Sequence, residues 1–188
     1  MYEKLKKLNA VLGLLAIALL ISHAGYSAVC YAFMIYNPGV TKIFAWLLML
    51  TVCLHAVLGM SLVFLHSDGT DLTVYKGYNK STIAQRISAA LIFPLLLLHV
   101  RTFSIMQSAA EAGAKAPIVL MILIEILFFG TVFTHVATSF SRALITLGLL
   151  TSPEKQRRID KALRIICALM FAICVTVIVR TQLVMFMR

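Results

Sequence analysis

Five stretches of mostly apolar residues, each longer than 18, dominate this chain, near 8–35, 42–65, 84–107, 117–140 and 163–186. A helix rises about 1.5 Å per residue, so ~20 apolar residues cross a hydrocarbon layer roughly 30 Å thick. A helix also satisfies its own backbone hydrogen bonds, which lipid cannot do. The expected fold is therefore all-α, an integral membrane bundle of five transmembrane helices forming one domain over 1–188. Breakers separate the runs: Asn37-Pro38-Gly39 after the first, Ser67-Asp68-Gly69 after the second, and Pro117 opening the fourth. The connections at 36–41 and 108–116 are short, and the polar stretches 66–83 and 141–162 are long.

Composition excludes the soluble alternative. Hydrophobic residues make up 61% of the chain and charged ones 13%, too few polar side chains to coat a water-facing domain. The net charge of +10 does not indicate a nucleic-acid partner, because the Lys and Arg residues fall in the gaps between apolar runs, not in a stripe. The four cysteines, Cys30, Cys53, Cys167 and Cys174, form neither C-x-x-C nor C-x-x-C-H. A thiol redox site or a covalently attached haem is not indicated, and packing is their expected role. The first run is too long for a cleaved signal peptide and lacks an A-x-A-like site, so it counts as a span.

Charge also sets an expected orientation. Lys4, Lys6, Lys7, Lys76, Lys80, Arg86, Arg142, Lys155, Arg157, Arg158, Lys161 and Arg164 lie on the side of the N-terminus and the two long connections, against Lys42, Lys115 and Arg188 on the other. The positive-inside rule puts the N-terminus in the cytoplasm and the C-terminus outside. Tyr31, Tyr36 and Trp46 suit an outer aromatic belt.

Histidine carries the functional signal. His23, His55, His99 and His135 fall one in each of the first four spans, where an unpartnered polar group costs several kcal/mol. His23 lies 15 residues past Leu8 and His99 lies 13 past Arg86, both on rising helices, which sets them at one level in the outer half. His55 is 13 past Lys42, and His135 is 18 past Pro117 and 7 before Arg142, on descending helices. That pair sits deeper, at the centre or in the inner half. Two bis-histidine haems need this arrangement, because each iron takes an imidazole from either side. Ala24 and Gly25, Ala56 and Gly59, and Ala137 and Ser139 are small neighbours that let a flat macrocycle approach the helices; they also serve plain helix packing. His66, where the second span meets water, is expected to be interfacial, with propionate contact or replacement of His55 as the alternative.

The residues around these histidines resemble a known family. Leu54-His55-Ala56-Val57-Leu58-Gly59-Met60, Gln85 with Leu98-His99-Val100, and the run from His135 through Ser139-Phe140-Ser141-Arg142 into the amphipathic Thr146–Arg164 connection are similar to the two-haem cytochrome b membrane anchor of succinate dehydrogenase and quinol:fumarate reductase, in its single-subunit, five-helix form. The resemblance implies two haem b groups, His23 and His99 holding the distal one and His55 and His135 the proximal one. It also implies a flavoprotein and an iron–sulfur subunit on the cytoplasmic face of the inner membrane, and a quinone, with menaquinone favoured. The dicarboxylate site would then lie on another chain. Two departures stand out: the outer loops are short, and no acidic residue occurs in 35–41, where the family has one near its outer quinone site.

Charged residues fill out the expectation. Glu125 is an acidic residue within a span, in the outer half, and is expected either to transfer protons for quinol or to make a structural hydrogen bond. Arg101 and Arg180, also in outer halves, suit distal haem propionates, with snorkelling to headgroups as the alternative. Arg86 and Arg142 suit the inner haem propionates or a cytoplasmic anchor role. Pro94, five residues before His99, is expected to kink the third span. Thr151–Arg164 opens with Ser152-Pro153-Glu154 and continues with five cations, as a capped basic helix start along the membrane surface; its expected partner is anionic lipid, and the family adds docking of the iron–sulfur subunit. Two other functions compete with this one. A cytochrome b subunit of the hydrogenase or formate dehydrogenase type would use similar histidines, and a non-redox scaffold or transporter would use them for packing.

Overall fold

The structure, a computed structural model, describes residues 1–35, 38–66 and 76–187. Tyr36, Asn37, Ser67, Asp68, Gly69 and Arg188 lie outside the described residues, as do the side chains of His66 and Lys76. Every element among the described residues is helical: α1 Tyr2–Ala32, α2 Pro38–His66, α3 Lys76–Glu111, α4 Lys115–Thr146 and α5 Pro153–Phe186. All five are long and apolar enough to cross a membrane. Large apolar side chains stand exposed along each of them, among them Leu15, Trp46, Leu97, Leu123 and Leu169. This is the surface of a multi-pass membrane protein, whose lipid-facing side chains need no protein cover.

The helices outrun the apolar stretches. At 29 to 36 residues they measure about 43–54 Å, so their ends extend beyond the hydrocarbon into the interfaces. The difference is largest for the polar stretch 141–162. Residues through Thr146 belong to α4, and α5 begins at Pro153. Ser152 caps α5, its hydroxyl accepting from the Lys155 amide at 3.4 Å, with Pro153 at the first helical position. The basic segment therefore runs without a break into the fifth span. Between α3 and α4, Gly113 takes φ +68°, and between α4 and α5, Gly148 takes φ +75°; this left-handed turn closes a helix end by returning amides to its last carbonyls. After α1 the same turn is made with Met34 at φ 55°.

Packing makes α4 the central element, touching α1, α3 and α5. In its most apolar window 39% of residues are buried, against 17% or less in the other four. Leu95 of α3, Phe128, Phe129, Val132 and Phe133 of α4, and Cys167 and Cys174 of α5 form one core. Met106, Ala109, Ile118, Met121 and Ile122 form another near the α3–α4 turn. The cysteines are free and serve packing. By contrast α2 lies along α1 and makes no comparably close approach to α3, α4 or α5, and α1 makes none to α3. The intramembrane histidines lie on the helices that border these two gaps, α2 and α4 at the first, α1 and α3 at the second.

Candidate functional site: two histidine pairs across unpacked helices

His55 on α2 and His135 on α4 face each other across the first gap, with ring centroids 6.4 Å apart and ring planes at 67°. Each ring is held from behind. The His55 Nδ1 lies 3.1 Å from the Asn9 carbonyl of α1. The His135 Nδ1 lies 3.1 Å from the Gln85 carbonyl of α3 and 3.2 Å from the Ser88 hydroxyl, which itself donates to that carbonyl at 2.9 Å. A carbonyl only accepts, so both rings carry their proton on Nδ1 and keep a lone pair on Nε2. Metal-binding histidines are oriented in this way.

Local sequence explains the close seat of His55. One turn after Asn9 the chain has Gly13, where an added Cβ would lie 3.1 Å from Cε1 of His55. A glycine there lets the ring reach the α1 backbone. On the other side, Gln85 works twice. Its backbone carbonyl holds His135, and its side-chain Oε1 accepts from Arg142 at 2.6 Å. Arg142 follows His135 by two helical turns on α4, so the α3–α4 interface is clamped both at the imidazole and below it.

The second pair spans α1 and α3. The His99 Nδ1 lies 3.0 and 2.9 Å from the two carboxylate oxygens of Glu125 on α4. Thr102, one turn after His99, donates to Glu125 Oε1 at 2.6 Å. Glu125 is 2% exposed, and a carboxylate this deep persists only with partners of this kind. Phe128 stacks on the His99 ring at 4.7 Å and 23°, and Phe129 meets its edge at 6.0 Å. His23 on α1 is the imidazole expected opposite His99. Its Nδ1 is buried with no hydrogen-bond partner among the described residues.

A bis-imidazole metal site can be tested against these distances. Two metal–nitrogen bonds of about 2.0 Å, and roughly 1.1 Å from each nitrogen to its ring centre, put trans imidazole centroids ~6.2 Å apart. The observed 6.4 Å between centroids is close to that separation. No three His, Cys, Asp or Glu side chains converge among the described residues. His55 and His135 are the two imidazoles brought together at the first gap.

The other expected residues are more scattered. Arg101 and Arg180 are exposed, and Arg86 and Arg142 are half-buried. His66 ends α2. Asn9, Gly13, Ser88 and Thr102 do not stand out in the sequence. Their signal is a helical one, since each lies on a face that only inter-helix packing reveals.

No protein-family model matches the chain, and neither a curated protein nor a solved structure matches it.

Proposed function

We propose that this chain is a dihaem b membrane anchor of a succinate:quinone oxidoreductase or fumarate reductase, carrying electrons between a cytoplasmic flavin and iron–sulfur partner and a membrane quinone. One observation carries the reading: the rings of His55 and His135 come within 6.4 Å of each other, each fixed through Nδ1, on two helices that do not pack closely together, and would hold the group between them. In this reading His55 and His135 hold the proximal haem, and His23 and His99 the distal one. Bound haem supplies one-electron carriage at two levels across the bilayer.

The chain's own residues orient and insulate. Asn9 and Gln85 fix the tautomer of the proximal imidazoles. Glu125 and Thr102 do so for His99, which makes Glu125 a positioning residue held by its own contacts. Phe128 and Phe129 keep water from the distal pair. Arg101, Arg180, Arg86 and Arg142 are the cations this reading assigns to propionates. The surplus of Lys and Arg at the N-terminal end supports a cytoplasmic N-terminus, and with it partner docking on that face of the inner membrane.

The test is to express the chain with its native neighbours, purify it from membranes, and record dithionite-reduced minus oxidised spectra. A b-type α-band that quinol reduces, together with a co-purifying flavin-containing subunit, is the expected result. Colourless protein would overturn the redox reading. Haem without a flavoprotein would assign the chain to another quinone-linked enzyme.

A further inference from the structure

A second polar feature lies at the N-terminal end of the bundle, where α3 and α5 begin and α4 ends. A cavity of about 420 Å³ opens there between the three helices. Lys80 and Ser81 come from α3, Ser141 and Arg142 from α4, and Asp160 and Arg164 from α5. Among the described residues that line it, the three cations outnumber the single carboxylate. Among the described residues no hydrogen bond or ion pair engages Lys80, Asp160 or Arg164, although Asp160 and Arg164 are one turn apart and able to pair along the helix. Ser141 is only 3% exposed, lines the cavity, and makes no hydrogen bond with any described residue. A hydroxyl of a buried residue that lines the cavity without a hydrogen bond to the described residues, beside two unpaired cations, has the chemistry of an oxyanion site.

We propose that this cavity binds the phosphate of an anionic phospholipid headgroup. Lys80 and Arg164 supply the charge, and the Ser141 hydroxyl donates to a phosphate oxygen. Asp160 can accept from a headgroup hydroxyl beyond the phosphate, which favours a glycerol headgroup over choline. A lipid is preferred to a free anion because of the surroundings. Ile165, Ile166 and Leu169, which follow Arg164 on α5 toward the apolar part of the helix, stand exposed, an apolar surface along which acyl chains can lie. The basic start of α5 thereby gains one defined pocket in place of a diffuse attraction.

Native mass spectrometry of the full chain, with any subunits that co-purify, tests this after delipidation and addition of dioleoyl phosphatidylglycerol or dioleoyl phosphatidylcholine. One phosphatidylglycerol per chain should be retained in preference to phosphatidylcholine. Lys80→Gln and Arg164→Gln should each lower that retention about tenfold, the effect of one charge-assisted hydrogen bond. Arg164→Lys, which keeps the charge and guards against misfolding, should restore most of it. Arg157→Gln, one charge fewer on the same helix but outside the cavity, should leave it unchanged. Equal retention of both lipids, or an equal loss in Arg157→Gln, would overturn the proposal. So would inorganic phosphate protecting the chain thermally, with the Lys80 and Arg164 dependence, while phosphatidylglycerol does not. In that case the occupant is a free anion.

Discussion

The His99 imidazole and the Glu125 carboxylate share a contact of 2.9 Å inside the membrane-spanning bundle, whereas the rings of the other pair are held by backbone carbonyls. A carboxylate makes an imidazole more electron-donating than a carbonyl does, and stronger donation favours the oxidised metal. If the proposed haems are held at these two pairs, their potentials should differ.

Glu125→Gln should raise the midpoint potential of one b haem by on the order of 60 mV, the equivalent of a tenfold change in the relative binding of oxidised and reduced iron. The other haem should not move. Redox titration followed at the α-band checks this, and equal shifts in both haems would count against it.

Glu125→Leu removes the partner of His99 Nδ1, while Thr102 keeps the Leu98 carbonyl as acceptor. A buried donor left unpaired costs about 1–3 kcal/mol. The purified protein should melt at lower temperature than Glu125→Gln, which keeps a hydrogen-bonding amide, and thermal denaturation compares the two.

Gly13 is the close-approach position for His55. Gly13→Val should displace the ring from Asn9 and lower the haem content to about one per chain. Gly13→Ala, whose Cβ asks for a shift of only a few tenths of an ångström, should retain both haems with an altered low-spin electron paramagnetic resonance signal. Helix propensity runs the other way, since Ala is favoured over Gly by roughly 0.5–1 kcal/mol, so a loss on substitution isolates the steric effect.

Gln85→Ala keeps the carbonyl that holds His135 and deletes the acceptor for Arg142. Stability should fall by about 1.5–3 kcal/mol, the range for a hydrogen bond to a charged group, while haem content stays at two. A haem loss here would mean that the Arg142 clamp, and not the carbonyl, positions His135.

Apolar length alone announces the five helices, because spanning lipid fixes how many apolar residues a helix needs. Counting from the flanking charges puts His23 level with His99, and sets His55 and His135 deeper. Depth says nothing about rotation around a helix axis. The pairing of Glu125 with His99, 26 residues away, and of Arg142 with Gln85, 57 away, depends on which faces α3 and α4 turn toward each other. The apolar runs stop near 140 and resume near 163, whereas α4 continues to Thr146 and α5 already begins at Pro153. Charge density marks where the hydrocarbon stops, but a helix continues past that point as long as water or headgroups solvate its side chains.

Haem stoichiometry tests the central claim most directly. A pyridine haemochrome assay on the purified chain, referred to protein by amino-acid analysis, should give two protohaems per chain, falling to one in His135→Ala. A value of zero, or an unchanged value in the His135 variant, would contradict the assignment of these imidazoles to iron.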